Sequence, residues 1–306
     1  MTRPLAAIDL GTNTARLLIA RPSASEIGFE TIFLKREITR LGGGFSRQHG
    51  ISPEARERTI AALSAFAEEM RLHEVGTLRA VATSAVRDAA NGAAFSRDVL
   101  NRTGIHLEVI DGHEEGLLTL RGVKAGVAPD LQHLLVFDVG GGSTEYTFAD
   151  GDSLVFTRSL PLGVVRLTEG KGDAAQIREK IERELDALEA ELKNRLLFPV
   201  PRGTTLVGTA GTATTLAAIS RKLTVYDYRL VNNHVLQRDE IIRIYNMLAP
   251  LSPAERLRIP GLEQGREDLI IAGILLTIAT MDRFGFLTCR VSDFGLLEGV
   301  LLSILH

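Results

Sequence analysis

Apolar positions along the chain fall into two spacings, and the alternation between them predicts an α/β fold. Short apolar runs at 5–10, 17–20, 78–86, 134–139 and 289–293, and another from Leu206, are bounded by Gly, Ser and Thr and read as strands. Residues 105–111 alternate and read as a half-buried strand. Residues 145–150 and 152–160 read as a hairpin turning at Asp150-Gly151-Asp152. Helical spacing begins behind Ser52-Pro53, where serine suits an N-cap and proline the first turn, and continues through Ile60, Leu63, Phe66, Ala67 and Met70. A second long helix begins at Asp173, with Gln176 in capping-box position, and carries Ile177, Ile181, Leu185, Leu188 and Leu192. Further helices are predicted over 93–102 (stopped by Gly104), 237–249, 253–258 and the apolar run 269–281, with another at the C-terminal end. Residues 226–234 read as loop.

Three of the strands run into glycine-rich turns. LLVFDVGGGSTE (134–145) passes from strand to Gly140, Gly141 and Gly142; LAAIDLGTNT (5–14) and LVGTAGTATT (206–215) repeat the layout. Triple glycine permits φ > 0, so main-chain N–H groups can converge on a phosphate, with Ser143 and Thr144 adding hydroxyls. Asp138 and Glu145 supply the oxygens that an Mg²⁺ bridging phosphate and protein needs. Asp9 holds the same offset from its glycine as Asp138, which predicts a duplicated fold with one site shared across a cleft. Gly-rich turns also follow strands for purely structural reasons; the repeated aspartate is what points to function. Arg16, just beyond the first turn, reads either as within reach of a bound phosphate or as a solvated strand-face arginine. Thr83, Ser84 and Arg87 close the strand at 78–86 in the manner of an anion site, with Asp88 or Asp98 as other partners for Arg87. Glu114 and Glu115 follow a strand-to-helix turn; either they favour the helix N-terminus through its dipole or one serves as general base. The basic run Lys35, Arg36, Arg40 reads as wet surface or as part of the site, and His113 as a turn histidine, since no second histidine stands at ligand spacing.

Composition narrows the classes. The 306 residues suffice for two domains, and 45% hydrophobic with 24% charged residues is globular. A net charge of −3 creates no global field for polyanions, which argues against a nucleic-acid partner and leaves anions to local donors. The single Cys289 excludes an internal disulfide and fits a reducing cytoplasm. The run 269–281 is thirteen residues long, short of the roughly twenty a membrane span requires, and a strand starting by Leu5 leaves no room for a signal peptide.

The motifs AAIDLGTNTARL, ATSAVRDAAN, VIDGHEEG, FDVGGGSTEY, SLPLGVVRLTE, GTAGTATTLA and VSDFGLLEG, in this order, resemble those of the exopolyphosphatase / guanosine-pentaphosphate phosphohydrolase (Ppx/GppA) family along nearly the whole chain. The resemblance implies an actin-like ATPase-domain fold, two ribonuclease-H-like domains around a cleft. Residues 1–122 plus 296–306 would form the first domain and 123–295 the second. It assigns catalysis to Glu115, Glu145 and Arg87, and Mg²⁺ binding to Asp9, Asp138 and Glu145. Phosphate contacts fall on Gly11, Thr12, Asn13, Arg16, Gly141, Gly142, Ser143, Gly208, Thr209 and Gly211, beside Ser84 from the anion-site reading above. It implies a homodimer and a substrate that is inorganic polyphosphate first and guanosine pentaphosphate second. Leu117 and Leu297 stand where the family usually carries arginine, which removes two cations. Two other classes fit the same scaffold: a kinase passing a phosphoryl group to a small acceptor, and a nucleotide-switched assembly protein.

Overall fold

The computed structural model describes residues 3–44, 50–128, 131–170 and 173–305. The chain forms two compact units, one from Met1–Ala125 with Phe294–His306 and one from Gly126–Asp293.

In the first unit, strands β1 (Leu5–Leu10), β2 (Thr14–Pro22), β3 (Phe29–Ile38), β4 (Thr77–Ala82) and β5 (Glu108–Val109) make a sheet in the order β3-β2-β1-β4-β5. β1, β2 and β3 form an antiparallel meander, and β4 and β5 add in parallel. Because side chains alternate along a strand, Ile8, Leu10, Leu17 and Ile19 enter one core with Ile60, Leu63 and Phe66 of α1 (Pro53–Leu72). Ser52 caps α1 by accepting from Ala55 N at 3.2 Å. α2 (Ser84–Arg87) and α3 (Gly92–Thr103) follow β4. On the other face Ala7, Leu18, Ala20 and Val81 pack with Leu118 of α4 (Gly112–Gly126) and with the final helix, whose Leu297, Val300 and Leu301 are buried. The two helices touch through glycine: a Cβ on Gly122 would lie 1.9 Å from the carbonyl oxygen of Gly295, and one on Gly299 1.8 Å from that of Leu118.

The second unit repeats the layout. β6 (His133–Val139), β7 (Thr144–Asp150) and β8 (Ser153–Leu160) form the meander, then come α5 (Val164–Gly170), α6 (Ala174–Asn194) and β9 (Thr205–Thr209). α7 (Ala210–Ser220), α8 (Tyr228–Val231), β10 (Val235–Gln237), α9 (Arg238–Leu248), α10 (Pro253–Arg256), α11 (Ile270–Phe284) and β11 (Thr288–Val291) complete it; α12 (Leu296–Ser303) is the final helix of the first unit. The sheet order β10-β11-β9-β6-β7-β8 contains β8-β7-β6-β9-β11, the counterpart of β3-β2-β1-β4-β5, with β10 added at the edge. This duplicated arrangement is the actin-like ATPase-domain fold. Its core joins Phe137, Tyr146 and Phe148 of the sheet to α6, α7, α9 and α11. Tyr146 Oη shares a 2.6 Å hydrogen bond with Thr280 Oγ1 in that core, and burial pushes its hydroxyl to higher pKa.

The local differences from the sequence reading have physical reasons. The strand predicted over 78–86 stops at Ala82: Thr83 N donates to Leu10 O, and Ser84–Arg87 then coil into a helical turn. Of the alternating 105–111, only Glu108–Val109 pair in the sheet, although Ile105, Leu107 and Ile110 are buried. The loop predicted at 226–234 contains α8, started by Asp227 Oδ1 accepting from Arg229 N. The triple glycine 140–142 does not use positive φ. What it provides is close approach, since a Cβ on Gly163 would fall 2.2 Å from Gly141 O and from Gly142 N.

Candidate active site

In the second unit the register builds a row of polar side chains. Asp138 pairs directly with Glu145 across the β6–β7 hairpin, Asp138 with Thr209 of β9, and Glu145 with Ser159 of β8. Paired residues share a face, so four oxygen-bearing side chains stand abreast. Asp138, Glu145 and Thr209 are buried, and Ser159 Oγ donates to Glu145 Oε1 at 2.7 Å. Ser143, also buried, sits in the turn that Gly140 N closes by donating to Ser143 O at 3.0 Å. The turn is buttressed by α5, where Val165 N donates to Gly141 O at 2.9 Å.

Gly208 is paired with Phe137, on the opposite face from this row. A Cβ there would meet Phe137 Cζ at 3.0 Å and Cys289 Sγ at 3.1 Å, so this glycine answers to core packing. Gly211, at the start of α7, answers to something else: a Cβ would fall 1.4 Å from Arg266 Nη1. Ala210 before it takes a left-handed φ of 59°, a conformation that costs a non-glycine residue energy and clusters at functional turns. A guanidinium at the positive end of a helix is unfavourable by itself; Glu263 Oε2 accepts from Arg266 Nε at 3.2 Å and balances it. Arg266 was not among the sequence candidates, and its only signal was its place in Arg266-Glu267-Asp268 ahead of α11.

In the first unit the corresponding hairpin pairs Asp9 with Arg16. The Gly11 N–H is committed to Thr14 O at 2.9 Å, closing the turn. Thr12 Oγ1 and Ser84 Oγ lie 3.0 Å apart, so two of the candidate phosphate hydroxyls meet. Thr39 N and Arg40 N donate to Asn13 O at 3.1 and 2.9 Å, and Gly42 N to Thr12 O at 2.8 Å, bracing the turn from behind. Asn13 Oδ1 is buried with no hydrogen-bond partner among the described residues, an arrangement native proteins keep for a reason such as an ion or ligand. Lys35 of the basic run pairs with Glu37 and Glu69 at 3.6 and 4.0 Å.

The acid pair at the start of α4 divides. Glu114 joins Glu108 around the Arg79 guanidinium, whereas Glu115 is 6% exposed. Arg87 Nη1 donates to Glu115 Oε2 at 3.2 Å and to Ile110 O at 3.0 Å. Arg87 also faces Asp88 at 3.6 Å, while Asp98 is taken by Arg56 and Arg102. Asp111 starts α4 by accepting from Glu114 N, which holds its carboxyl below the usual range. Leu117, on α4, is 45% exposed, and Leu297, on the inner face of α12, is wholly buried.

Among the described residues no three His, Cys, Asp or Glu side chains converge as a ready-made metal cage, and no helix is long and apolar enough to cross a membrane. Mg²⁺ commonly relies on one or two carboxylates with water and phosphate, which the Asp138–Glu145 pair of the second unit fits.

The model of the Ppx/GppA phosphatase family matches residues 18–306 of the chain. The chain belongs to the Ppx/GppA phosphatase family. It is 34% identical to Exopolyphosphatase 2 of Mycobacterium tuberculosis over 98% of both chains. Its fold matches the crystal structure of the Aquifex aeolicus Ppx/GppA family member with a TM-score of 0.79 at 33% identity, covering 98% of this chain and 97% of that one. It also matches an exopolyphosphatase from Cytophaga hutchinsonii with a TM-score of 0.89 at 27% identity, covering 99% and 98%. Membership of the Ppx/GppA family makes the protein a phosphoanhydride hydrolase.

Proposed function

We propose that this enzyme releases the terminal phosphate of inorganic polyphosphate by in-line attack of water, with Glu115 as general base. The observation that carries the reading is the buried contact between Glu115 and Arg87, with Glu114 turned instead to Arg79. A carboxylate withdrawn from bulk water beside a guanidinium has the two groups this reaction needs: a proton acceptor for water and a cation for the transferred phosphoryl oxygens. Glu115 takes one proton of the water while its oxygen bonds to the terminal phosphorus. The bridging P–O bond breaks, its electrons remaining on the shortened chain, and orthophosphate leaves. Arg87 and Arg16 offset charge on the phosphoryl oxygens, and Thr12 and Ser84, whose hydroxyls meet, donate to hold the chain in line. Asp138 and Glu145 would hold Mg²⁺; when bound it supplies charge neutralisation and orientation for the phosphates. Gly208 takes no direct part in this reading.

The 34% identity to a protein named Exopolyphosphatase 2 supports polyphosphate over guanosine pentaphosphate. The single buried Cys289 supports a reducing, cytoplasmic setting. The test is phosphate release from polyphosphate, guanosine pentaphosphate and ATP side by side, with and without Mg²⁺. Fastest release from polyphosphate, dependent on Mg²⁺, is the expected result. Turnover confined to guanosine pentaphosphate would overturn the substrate, and transfer to an added acceptor without phosphate release would overturn the reaction.

A further inference from the structure

We propose that Glu298 is a positioning residue that sets the Arg16 guanidinium for its phosphate contact; the inference rests on the reading of Arg16 as phosphate-binding. Glu298 lies in the first turn of α12 and is 5% exposed. Its Oε2 accepts from Gly295 N at 2.8 Å, and its Oε1 accepts from Arg16 Nη2 at 3.3 Å.

The first contact is ordinary helix capping, for which a neutral glutamine would serve equally. The second needs the charge. Burying a carboxylate is costly unless it is paired, and here it meets a guanidinium that stands directly opposite Asp9 across the β1–β2 hairpin. Arginine carries five N–H donors in a rigid fork, so an acid on one nitrogen orients the others toward a second anion. The counterpart of Arg16 in the second unit is Glu145, held in the same manner by Ser159. Each hairpin thus has a charged residue opposite its aspartate and a neighbour that orients it.

The placement of Glu298 is itself fixed. α12 meets α4 backbone to backbone at Gly122 and Gly299, where a Cβ would lie within 2 Å of a carbonyl oxygen. α4 carries Glu115, so one helix crossing registers both the general base and, through Glu298, the Arg16 guanidinium.

The test is a double-mutant cycle on tripolyphosphate binding, read by titration calorimetry in a Glu115→Gln background, where turnover is suppressed. Glu298→Gln is expected to weaken binding about tenfold, the size of one charge-assisted contact, with the thermal midpoint retained because the cap survives. In an Arg16→Gln background the same change is expected to cost less than twofold. Equal costs in both backgrounds, or no cost in either, would overturn the proposal. If Glu298→Gln fails to fold, Glu298→Asp, one methylene shorter, enters the same cycle with the same expectation. A parent that binds no tripolyphosphate overturns this inference together with the proposed function, whereas a parent that hydrolyses polyphosphate but shows a flat cycle overturns this inference alone.

Discussion

Asp138 and Glu145 stand directly opposite one another across the β6–β7 hairpin, one residue before and one after the strand ends that enclose the Gly140–Ser143 turn. Two carboxylates side by side repel when both are ionised, and the Mg²⁺ of the proposed function would offset that charge. Glu145→Gln is therefore expected to lower phosphate release by about 10²-fold and to raise the Mg²⁺ concentration needed for half-maximal rate. Initial rates across a magnesium titration measure both.

The divided acid pair makes a sharper contrast. Glu115→Ala is expected to lose about 10²–10⁴-fold in turnover, the usual worth of general-base help, while its circular dichroism stays that of the parent. Glu114→Ala, which removes a partly exposed partner of Arg79, is expected to remain within a few-fold of the parent rate. Comparable losses in the two variants would remove the distinction.

Gly163 is close-packed against the turn rather than bent. Gly163→Ala forces a Cβ to within 2.2 Å of the Gly141–Gly142 backbone, and overpacking of this kind costs about 1–3 kcal/mol. Denaturant unfolding should register that loss, together with a rise in KM as the turn is displaced.

His234 ties folding to pH. Its Nε2 lies 3.0 Å from Ser220 Oγ, and burial lowers its pKa below the ordinary 6.5. The unfolded chain takes up a proton near 6.5 that the folded ring resists, so this contribution to stability is present above that pH and is lost as pH falls toward the folded value. The stability difference between the parent and His234→Gln should shift in favour of the variant between pH 7.5 and 5.5 in denaturant titrations.

Cys289 is expected to resist alkylation in the native state. Burial pushes its thiol up to about 12, which leaves on the order of one part in 10⁴ as thiolate at pH 8. Iodoacetamide labelling followed by mass spectrometry should find the residue modified only after unfolding.

The elements were legible in the sequence wherever spacing alone decides structure: the second unit's meander, the capped helices at Ser52 and Asp173, and the aspartates at one offset from glycine, whereas β3 lay hidden in a basic run. The family was legible in motif order, through the family the chain now belongs to. Less legible was anything settled by packing. Glu114 and Glu115 differ by one helical step, and only the seating of α4 turns one to Arg79 and the other to Arg87. Arg266 lies over Gly211 from a loop far along the chain, a contact with no periodicity to announce it. The glycines 140–142 suggested unusual dihedrals, whereas the demand falls on the space between Gly163 and the turn. Gly208 was placed with phosphate by the family resemblance, and strand alternation turns the side of it that a Cβ would occupy toward Phe137 and Cys289.

The seam between α4 and α12 also orders events in time. The second unit is one unbroken stretch, Gly126–Asp293, and can close as soon as it clears the ribosome. The first is stitched from both sides of that stretch, so Ala7, Leu18 and Val81 keep only the cover that α4 gives them until α12 has been synthesised. Nascent chains arrested before Phe294 should therefore carry a finished second unit and an unfinished first one that chaperones recognise.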